Sequence, residues 1–413
     1  MLGGVIMRRF FKDKRTRKKC HIYRMLAGQK GKHLSFHTPG HKQKGFDITE
    51  LSYSDNLACP RGCIAQAERD IAEILGAKKS FILTDGSTCG VFSMLHAAKT
   101  LGVKKVFVIE PAHQSVYNAC AVLGLTILST ANGADAVLCT SPDYYGKIAP
   151  LKTLRALCDK EQKLLLIDGA HGGHLHFDKG VYAGAFADFW VDGVHKSLPA
   201  LTQGAVVSAR EEKQAAALGE AVKLFRTTSP SYPIMASVEY AVKYPKNEKL
   251  EKLVREYASI QERVGVQGDW TKMCALFGES AFEAEKWLQQ KGVFAEFCDG
   301  ERLCFYLSPA AKIRQFNKLC RLLTTAFKKY PFKPETSLQR NPAPLVFKET
   351  AGEWIELSAS ENRVCAANCG LFPPCVPLVK KGERITKEKI ELLQKANNVY
   401  GLNDGKIFAY KDE

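Results

Sequence analysis

Two residues of the sequence, an aspartate and a lysine, each follow a run of apolar residues. Asp168 ends the run LLLID, and Lys196 comes shortly after the run FWVDGV. Ligands of open α/β sheets bind beside the carboxyl ends of such strands. A lysine amine forms an imine with an aldehyde, and an aspartate can keep a pyridine nitrogen protonated. The pair therefore predicts a cofactor that has both an aldehyde and a pyridine nitrogen. Alone, the aspartate would be typical of a helix N-cap or a turn, and the lysine of the protein surface.

The turn GSTCG provides a candidate phosphate site. Gly86, Ser87 and Thr88 follow the apolar run SFILTD and precede a predicted helix. The backbone N–H groups at a helix N-terminus and the two hydroxyls would converge on an anion. Most Gly-Ser-Thr turns are simple caps, so the prediction depends on the aspartate and the lysine that follow in the chain.

His113 stands just after the predicted strand KVFVIE. Its imidazole is a candidate to stack on one face of a cofactor ring, with Ala170 on the other face because a methyl group lets the ring approach. The alternative is a histidine at a strand end that is hydrogen-bonded to a loop.

Strands and helices alternate from residue 78 to about residue 200, and the strands are almost continuously apolar. This pattern predicts a mostly parallel sheet that is covered by helices on both faces. After residue 245 a long amphipathic helix and shorter strands indicate a smaller α+β domain. We therefore expect an arm at 1–45, a large domain at 46–245 and a C-terminal domain at 246–413.

The chain has 413 residues and a net charge of +16, and eight of its basic residues lie between Arg8 and Lys19. Such a segment could contact nucleic acid or an anionic membrane, or act as a targeting peptide. It lacks the apolar core of a secretory signal, so we expect a disordered basic arm, or a start codon upstream of a true start at Met7 or Met25, and neither nucleic-acid nor membrane partners. No apolar stretch is long enough to span a bilayer.

Fourteen cysteines raise the question of disulfides or zinc. Most fall singly inside apolar stretches, where a free thiol behaves as a small hydrophobic group. Cys59 with Cys63 and Cys365 with Cys369 have a spacing that zinc could use, but neither pair belongs to a paired CxxC pattern. We expect no metal and a reducing, cytoplasmic setting.

Several ordered motifs resemble the bacterial ornithine/lysine/arginine decarboxylases, which are pyridoxal-phosphate enzymes of the aspartate aminotransferase fold type (fold type I). They are PGHK at 39–42, DITELSYSDNL at 47–57, GSTCG at 86–90, HKSLPALTQG at 195–204, TTSPSY at 227–232 and FPPCVP at 372–377. The resemblance runs from about residue 34 to residue 390. It implies a short form without the N-terminal wing domain, and a homodimer or higher homo-oligomer with shared active sites.

The resemblance also implies roles for individual residues. Lys196 would carry the cofactor and Asp168 would pair with its ring nitrogen, while His113 and His195 would complete the catalytic group. The cofactor-binding residues would further include Ala170, His171, Gly86, Ser87, Thr88 and, from the neighbouring subunit, Thr227. Two departures stand out: Gly193 replaces a serine common in the family and removes a phosphate-binding hydroxyl, and Cys375 replaces a turn glycine.

The implied activity is decarboxylation of arginine, lysine or ornithine, which gives carbon dioxide and a polyamine or its precursor. An acidic residue, with Glu361 and Glu383 as candidates, would meet the distal cation of the substrate. An aminotransferase or another lyase on this fold is the alternative, and Arg363 could then bind the α-carboxylate. A third hypothesis is a non-catalytic relative that keeps the fold. The presence of both Lys196 and Asp168 argues against it.

Overall fold

The structure is a computed structural model that describes residues 10–28, 36–42, 47–332, 351–373, 375–396 and 398–411. Its helices are α1 (Lys14–Lys19), α2 (His21–Gly28), α3 (Cys63–Leu75), α4 (Gly86–Thr100), α5 (Gln114–Leu123), α6 (Leu151–Lys160), α7 (Val194–Ser197), α8 (Glu212–Phe225), α9 (Tyr232–Val242), α10 (Glu248–Ile260), α11 (Ala281–Gln290), α12 (Ile313–Lys329) and α13 (Lys387–Lys395). Its strands are β1 (Lys79–Leu83), β2 (Lys105–Ile109), β3 (Thr126–Leu128), β4 (Ala136–Thr140), β5 (Leu164–Gly169), β6 (Phe189–Asp192), β7 (Ala205–Ala209), β8 (Val264–Val266), β9 (Lys272–Leu276), β10 (Phe297–Cys298), β11 (Arg302–Tyr306), β12 (Gly352–Glu356), β13 (Cys369–Leu371), β14 (Val376–Val379), β15 (Val399–Tyr400), β16 (Leu402–Asn403) and β17 (Lys406–Tyr410).

A seven-stranded sheet forms the centre of the protein, with strand order β1-β7-β6-β5-β4-β2-β3. Strands β2 to β6 pair in parallel, and β7 runs antiparallel to both β6 and β1. The predicted parallel strands are present, and β7 makes the sheet mixed. The carboxyl ends of β1, β2, β5 and β6 therefore open on the same edge.

Both faces of this sheet are buried, which explains the apolar strands. Leu165 and Ile167 of β5 belong to one core cluster with helices α2, α3, α6 and α9, whereas Leu166 belongs to a second cluster with α4, α5 and α8. Successive side chains of a strand point to opposite faces, so a strand covered on both sides must be apolar at every position.

The C-terminal part of the chain contains two larger hydrophobic clusters and a smaller one around Val364, Ala366 and Tyr410. Helices α10, α11 and α12 pack on a four-stranded antiparallel sheet of order β10-β11-β9-β8, which we call the four-stranded unit (residues 246–332). Two three-stranded sheets and helix α13 enclose a smaller core within residues 351–411. The single C-terminal domain expected at 246–413 thus has two separate larger cores in its described residues.

The N-terminal segment differs from the expected disordered arm. Its described part, residues 10–28, contains α1 and α2, and Phe11 is only 3% exposed. Glu239 of α9 accepts the backbone N–H groups of His21 and Ile22, and the Tyr240 hydroxyl accepts that of Asp13. The expectation of disorder was wrong for residues 10–19 because basic side chains on one side of a helix do not prevent its apolar side from packing. Within the described residues no helix has the length and apolarity that crossing a bilayer requires.

Candidate active site

A cavity of about 210 Å³ opens at the carboxyl edge of the seven-stranded sheet. Side chains and backbone from several strand ends converge there. The lining residues are Gly86, Ser87, Thr88, Val91, His113, Ser115, Tyr144, Asp168, Ala170, His195, Lys196, Thr202 and Gln203. Eight of the ten predicted site residues are among them, and only His171 and Thr227 are not.

The candidate phosphate site, Gly86 to Thr88, lies at the start of α4, and we call it the phosphate cradle. Gly86 has φ +77°, a conformation that glycine adopts readily, and its N–H donates to the carbonyl oxygen of Gln203 at 2.9 Å. The hydroxyl of Ser87 is buried and has no hydrogen-bond partner within the described residues. The helix N-terminus and this unsatisfied hydroxyl both favour an anion at the cradle.

Gly193 approaches the cradle from the segment before Lys196. A Cβ atom on Gly193 would lie 2.7 Å from Ser87 Oγ and would also clash with the Ala170 carbonyl oxygen. The backbone has therefore closed into the space that a serine side chain would need. The missing family hydroxyl is explained by this close packing.

Asp168 is 2% exposed at the end of β5, where its Oδ1 accepts the N–H of Ala170 at 3.1 Å. The methyl group of Ala170 also lines the cavity, so space remains beside the carboxylate for a flat ring. A buried carboxylate is costly unless a positive partner or hydrogen bonds compensate it. A protonated ring nitrogen would be such a partner.

His113 caps the N-terminus of α5. Its Nδ1 accepts the N–H of Ser115 at 3.1 Å and lies 2.9 Å from the Ser115 hydroxyl. Burial lowers the pKa of His113, Lys196 acts in the same direction, and Asp168 acts against it. His113 is therefore a neutral imidazole at the cavity wall. The structure thus gives His113 a local hydrogen bond and a place at the cavity wall, and its stacking on a cofactor ring stays a prediction.

Lys196 lies on the short helix α7, and its Nζ is 3.3 Å from Nε2 of His171. Burial lowers the pKa of Lys196, although Asp168 and Glu296 act in the opposite direction. Burial also lowers the pKa of His171 well below its usual range, and Lys196 and Lys272 add to this effect. A neutral imidazole thus faces a lysine that loses its proton more easily than a surface lysine.

His195 precedes the lysine and also faces the cavity. Its Nδ1 donates to the Gly204 carbonyl oxygen at 3.0 Å, which leaves Nε2 as the nitrogen available to a ligand. Burial lowers the pKa of His195, so the ring is neutral at physiological pH.

Two predicted residues lie outside the cavity lining. His171 stands directly behind Lys196, with the rings of Tyr144 and Tyr306 at centroid distances of 5.0 and 5.4 Å. Thr227 donates its N–H to Asp85 Oδ2 at 3.3 Å, next to the cradle but outside it.

The three C-terminal candidates are not in the cavity lining. Arg363 donates to Glu353 Oε1 at 2.9 Å and to the Tyr410 carbonyl oxygen at 2.8 Å. Glu383 forms an ion pair with Lys389, and Glu361 is exposed. None of these three residues therefore has the position that the sequence hypotheses gave it.

Sequence reasoning missed Tyr144, Glu296 and Lys272. Tyr144 follows the predicted strand AVLCTSP, so the strand-end rule used for Asp168 would have found it. Glu296 and Lys272 come from the four-stranded unit and interact electrostatically with Lys196. No local pattern distinguishes them from surface charges.

One cluster of potential metal ligands occurs within the described ranges. His21, Asp70 and Glu239 place one ligand atom each within 4.8 Å of one another, and none of the cysteine pairs takes part. Lys243 Nζ is 2.6 Å from Asp70 and 2.8 Å from Glu239, so a side-chain cation already neutralises these carboxylates.

The cavity residues fit pyridoxal phosphate. The unsatisfied Ser87 hydroxyl at a helix N-terminus fits its phosphate, the buried Asp168 fits its ring nitrogen, and Lys196 fits its aldehyde. The neutral His113 and the small Ala170 leave room for the ring.

Residues 125–269 match the family profile of the Orn/Lys/Arg decarboxylase major domain. An arginine decarboxylase of Halalkalibacterium halodurans is 24% identical over 92% of this chain and 93% of that protein. An uncharacterized Bacillus subtilis protein, YaaO, is 25% identical over 87% of this chain and 90% of its own length.

The solved structure of the constitutive lysine decarboxylase of E. coli superposes on this chain with a TM-score of 0.71 and 18% sequence identity. The match covers 96% of this chain and 82% of the E. coli chain. That likeness confirms the predicted fold, a mostly parallel sheet with helices of the pyridoxal-phosphate transferase type and smaller α+β parts. The profile match covers the strand end that carries Asp168 and the helix that carries Lys196, and the full-length relatives agree with it. The chain is thus similar to the Orn/Lys/Arg decarboxylases, through the profile over residues 125–269 and through relatives that cover most of its length.

Proposed function

We propose that this protein is a pyridoxal-phosphate-dependent decarboxylase of a basic amino acid: arginine, lysine or ornithine. One observation carries the proposal: Lys196, Asp168 and His113 line one cavity together with an unsatisfied hydroxyl at a helix N-terminus. The similarity to proteins named arginine and lysine decarboxylase supports the class of substrate.

Pyridoxal phosphate supplies an aldehyde that combines with amines and a ring that accepts an electron pair. The chain's own residues supply the rest. Asp168 would hold a proton on the ring nitrogen, which is electrostatic stabilisation of developing charge. The start of α4, with Ser87 and Thr88, would bind the phosphate. Lys196 and His195 face the cavity, and either would return a proton to the α-carbon of the substrate.

Glu296 is our candidate for the residue that meets the distal cation of the substrate. It precedes β10, and its charge interacts with Lys196 and Lys272. Burial raises the pKa of Glu296, and these two lysines act in the opposite direction. Phe297 follows Glu296 in the sequence, and its ring centroid lies 6.4 Å from that of Tyr306. The charge of Glu296 also acts on the Tyr306 hydroxyl. A carboxylate with aromatic neighbours suits a long side chain that ends in a positive charge.

An aminotransferase is the rival hypothesis on this fold, and it needs an arginine for the α-carboxylate. Arg363 is held by Glu353 and the Tyr410 carbonyl oxygen, and the cavity lining contains no arginine within the described residues. Loss of the carboxylate as carbon dioxide needs no such clamp. These contacts favour decarboxylation.

We further propose a homodimer with a shared site and a role in polyamine formation in the cytoplasm. Thr227 stands beside Asp85 at the edge of the cradle, outside the cavity of its own chain. From that edge it would reach the phosphate of the neighbouring subunit. Sedimentation of the purified protein would give the oligomeric state.

The test supplies the purified protein with pyridoxal phosphate and records the absorbance of the bound cofactor. Arginine, lysine and ornithine are then added separately, and carbon dioxide and the product amines are measured. We expect one or more of these substrates to release carbon dioxide, and Lys196→Ala to abolish both the bound-cofactor band and the release. Amino transfer without carbon dioxide would establish the rival activity.

A further inference from the structure

The segment Asp269–Lys272 of the four-stranded unit lies between two loops of the candidate site. The Asp269 N–H donates to the Gly146 carbonyl oxygen at 3.0 Å, in the loop after β4. Asp269 Oδ1 lies 2.8 Å from His174 Nε2, in the loop after β5. Lys272 Nζ donates to the carbonyl oxygen of His171 in that same loop at 3.2 Å. The segment therefore joins the four-stranded unit to the residues around Lys196.

Lys272 is fully buried, with a side-chain exposure of 0%. Its Nζ contacts Asp269 Oδ2 at 3.1 Å and Thr271 Oγ1 at 2.8 Å, and it lies 4.8 Å from the centroid of the Tyr306 ring. Burial of an ammonium group is costly, and apolar side chains of similar volume often join two surfaces equally well. The positive charge of Lys272 is therefore not required merely to join the two surfaces.

His171 connects Lys272 with Lys196. Lys272 binds the backbone carbonyl of His171, while the imidazole Nε2 lies 3.3 Å from Lys196 Nζ. The rings of Tyr144 and Tyr306 pack edgewise against the imidazole and limit its rotation. The position of the His171 backbone thus sets the position of the group that contacts the lysine amine.

We propose that Lys272 is a positioning residue for Lys196: it anchors His171 through the backbone carbonyl and adds a second positive charge to the buried site. The inference rests on the proposed function only in taking Lys196 as the cofactor-binding lysine. The Asp269 carboxylate holds Lys272 in place. Although burial acts against it, His174 and Lys272 keep the pKa of Asp269 well below its usual range.

The charges around Lys196 agree with this role. Burial lowers the pKa of Lys196, Asp168 and Glu296 act against burial, and Lys272 acts with it. A like charge in a buried site disfavours the charged form of its neighbour. Lys272 therefore favours the unprotonated amine, which is the nucleophile. Among the described residues, the titratable groups around Lys196 also include His113, His171, His195, Cys375 and Tyr144.

The test measures how fast acetic anhydride labels Lys196 in the full chain freed of cofactor, across a range of pH and by mass spectrometry of the labelled peptide. Lys272→Gln removes the charge and leaves an amide donor one atom closer to the backbone than Nζ. We expect it to raise the labelling midpoint of Lys196 by roughly one pH unit. Lys272→Arg keeps the charge and should keep the wild-type midpoint.

Lys243→Met is the matched control. Lys243 is also buried and paired with carboxylates, Asp70 and Glu239, and among the described residues none of its ion pairs or hydrogen bonds is with the site. Its loss should lower stability without moving the midpoint. An unchanged midpoint in folded Lys272→Gln, or an equal shift in Lys272→Arg or Lys243→Met, would overturn the proposal. Absence of carbon dioxide release by the wild type would remove the proposed activity and leave the labelling result intact.

Discussion

Ser87 and Gly193 are packed so closely that a Cβ atom on Gly193 would lie 2.7 Å from Ser87 Oγ. The two residues come from different strand ends, β1 and β6, and meet at the phosphate cradle. The width of the cradle is therefore fixed by a glycine, and the Ser87 hydroxyl takes the space that a side chain at position 193 would fill.

Gly193→Ser should consequently weaken the protein even though it restores the residue common in the family. Its Cβ must displace both Ser87 and the Ala170 backbone, and overpacking of this kind costs about 1–3 kcal/mol. We expect a lower midpoint in denaturant unfolding and weaker cofactor binding, measured by absorbance titration.

Gly265→Ser is the control for that substitution, because no atom lies within 4 Å of a Cβ built on Gly265. It should leave cofactor binding unchanged. Tighter cofactor binding by Gly193→Ser would show that the phosphate cradle can widen to accept the serine side chain. That result would contradict the predicted clash with Ser87 and Ala170.

Cys375→Gly should stabilise the protein. Cys375 has φ +60°, in the left-handed region, and still occupies the turn where the family has glycine. For a residue with a Cβ atom this conformation costs about 1–2 kcal/mol. Denaturant unfolding should show a gain of about 1 kcal/mol. Cys375→Ala removes the thiol and keeps the Cβ, so a gain in both variants would assign the effect to the thiol.

Asp192 should make the stability of the protein depend on pH. Burial raises the pKa of Asp192 to about 7, and its Oδ2 accepts a hydrogen bond from the Tyr182 hydroxyl at 2.6 Å. Below the pKa that Asp192 has in the unfolded chain, Asp192 is protonated in both the folded and the unfolded state. The protonated side chain then makes its full contribution to the stability of the fold. Above that pKa, the folded state binds more protons than the unfolded state, so the free energy of unfolding decreases as the pH rises. The decrease ends above about pH 7, and its slope is at most about 1.4 kcal/mol per pH unit.

Asp192→Asn removes this titration, so its free energy of unfolding should change less between pH 5 and pH 8 than that of the wild type, as urea titrations at each pH would show. Equal pH slopes for the two proteins would rule out a raised pKa at Asp192.

Glu296→Gln should weaken the binding of a basic substrate. Loss of a charged partner for the distal cation should raise KM by roughly tenfold, with a smaller effect on kcat. The absorbance of the bound cofactor should stay as in the wild type. Glu279→Gln, a neutralised carboxylate elsewhere in the four-stranded unit, is the control. A fall in kcat with an unchanged KM would show that Glu296 acts on the chemistry rather than on recognition.

The large sheet and the residues at its strand ends were predictable because local patterns encode them. An apolar run such as LLLID must be covered on both faces, and the residue that ends it must lie at the ligand edge. Asp168, Lys196 and His113 were found by that rule. The direction of β7 was not predictable, because AVVSA has the same apolar pattern in either direction.

Residues that depend on contacts between distant segments were not predictable. Lys272 in GDWTKMCAL is indistinguishable from a surface lysine until Asp269, Thr271 and the His171 carbonyl are placed around it. The arm was misjudged for a similar reason, since the burial of Phe11 depends on α9, more than two hundred residues away.

The residues that line the cavity all come from positions 86 to 203, whereas Lys272, Glu296 and Cys375 reach Lys196 from later parts of the chain. In our proposal, the residues that bind the cofactor and the residue that meets the distal cation of the substrate therefore lie in separate stretches of the sequence. A chimera that keeps residues 47–277, and with them Lys272, and takes its remaining sequence from a relative should bind the cofactor as before and accept the amino-acid substrate of that relative.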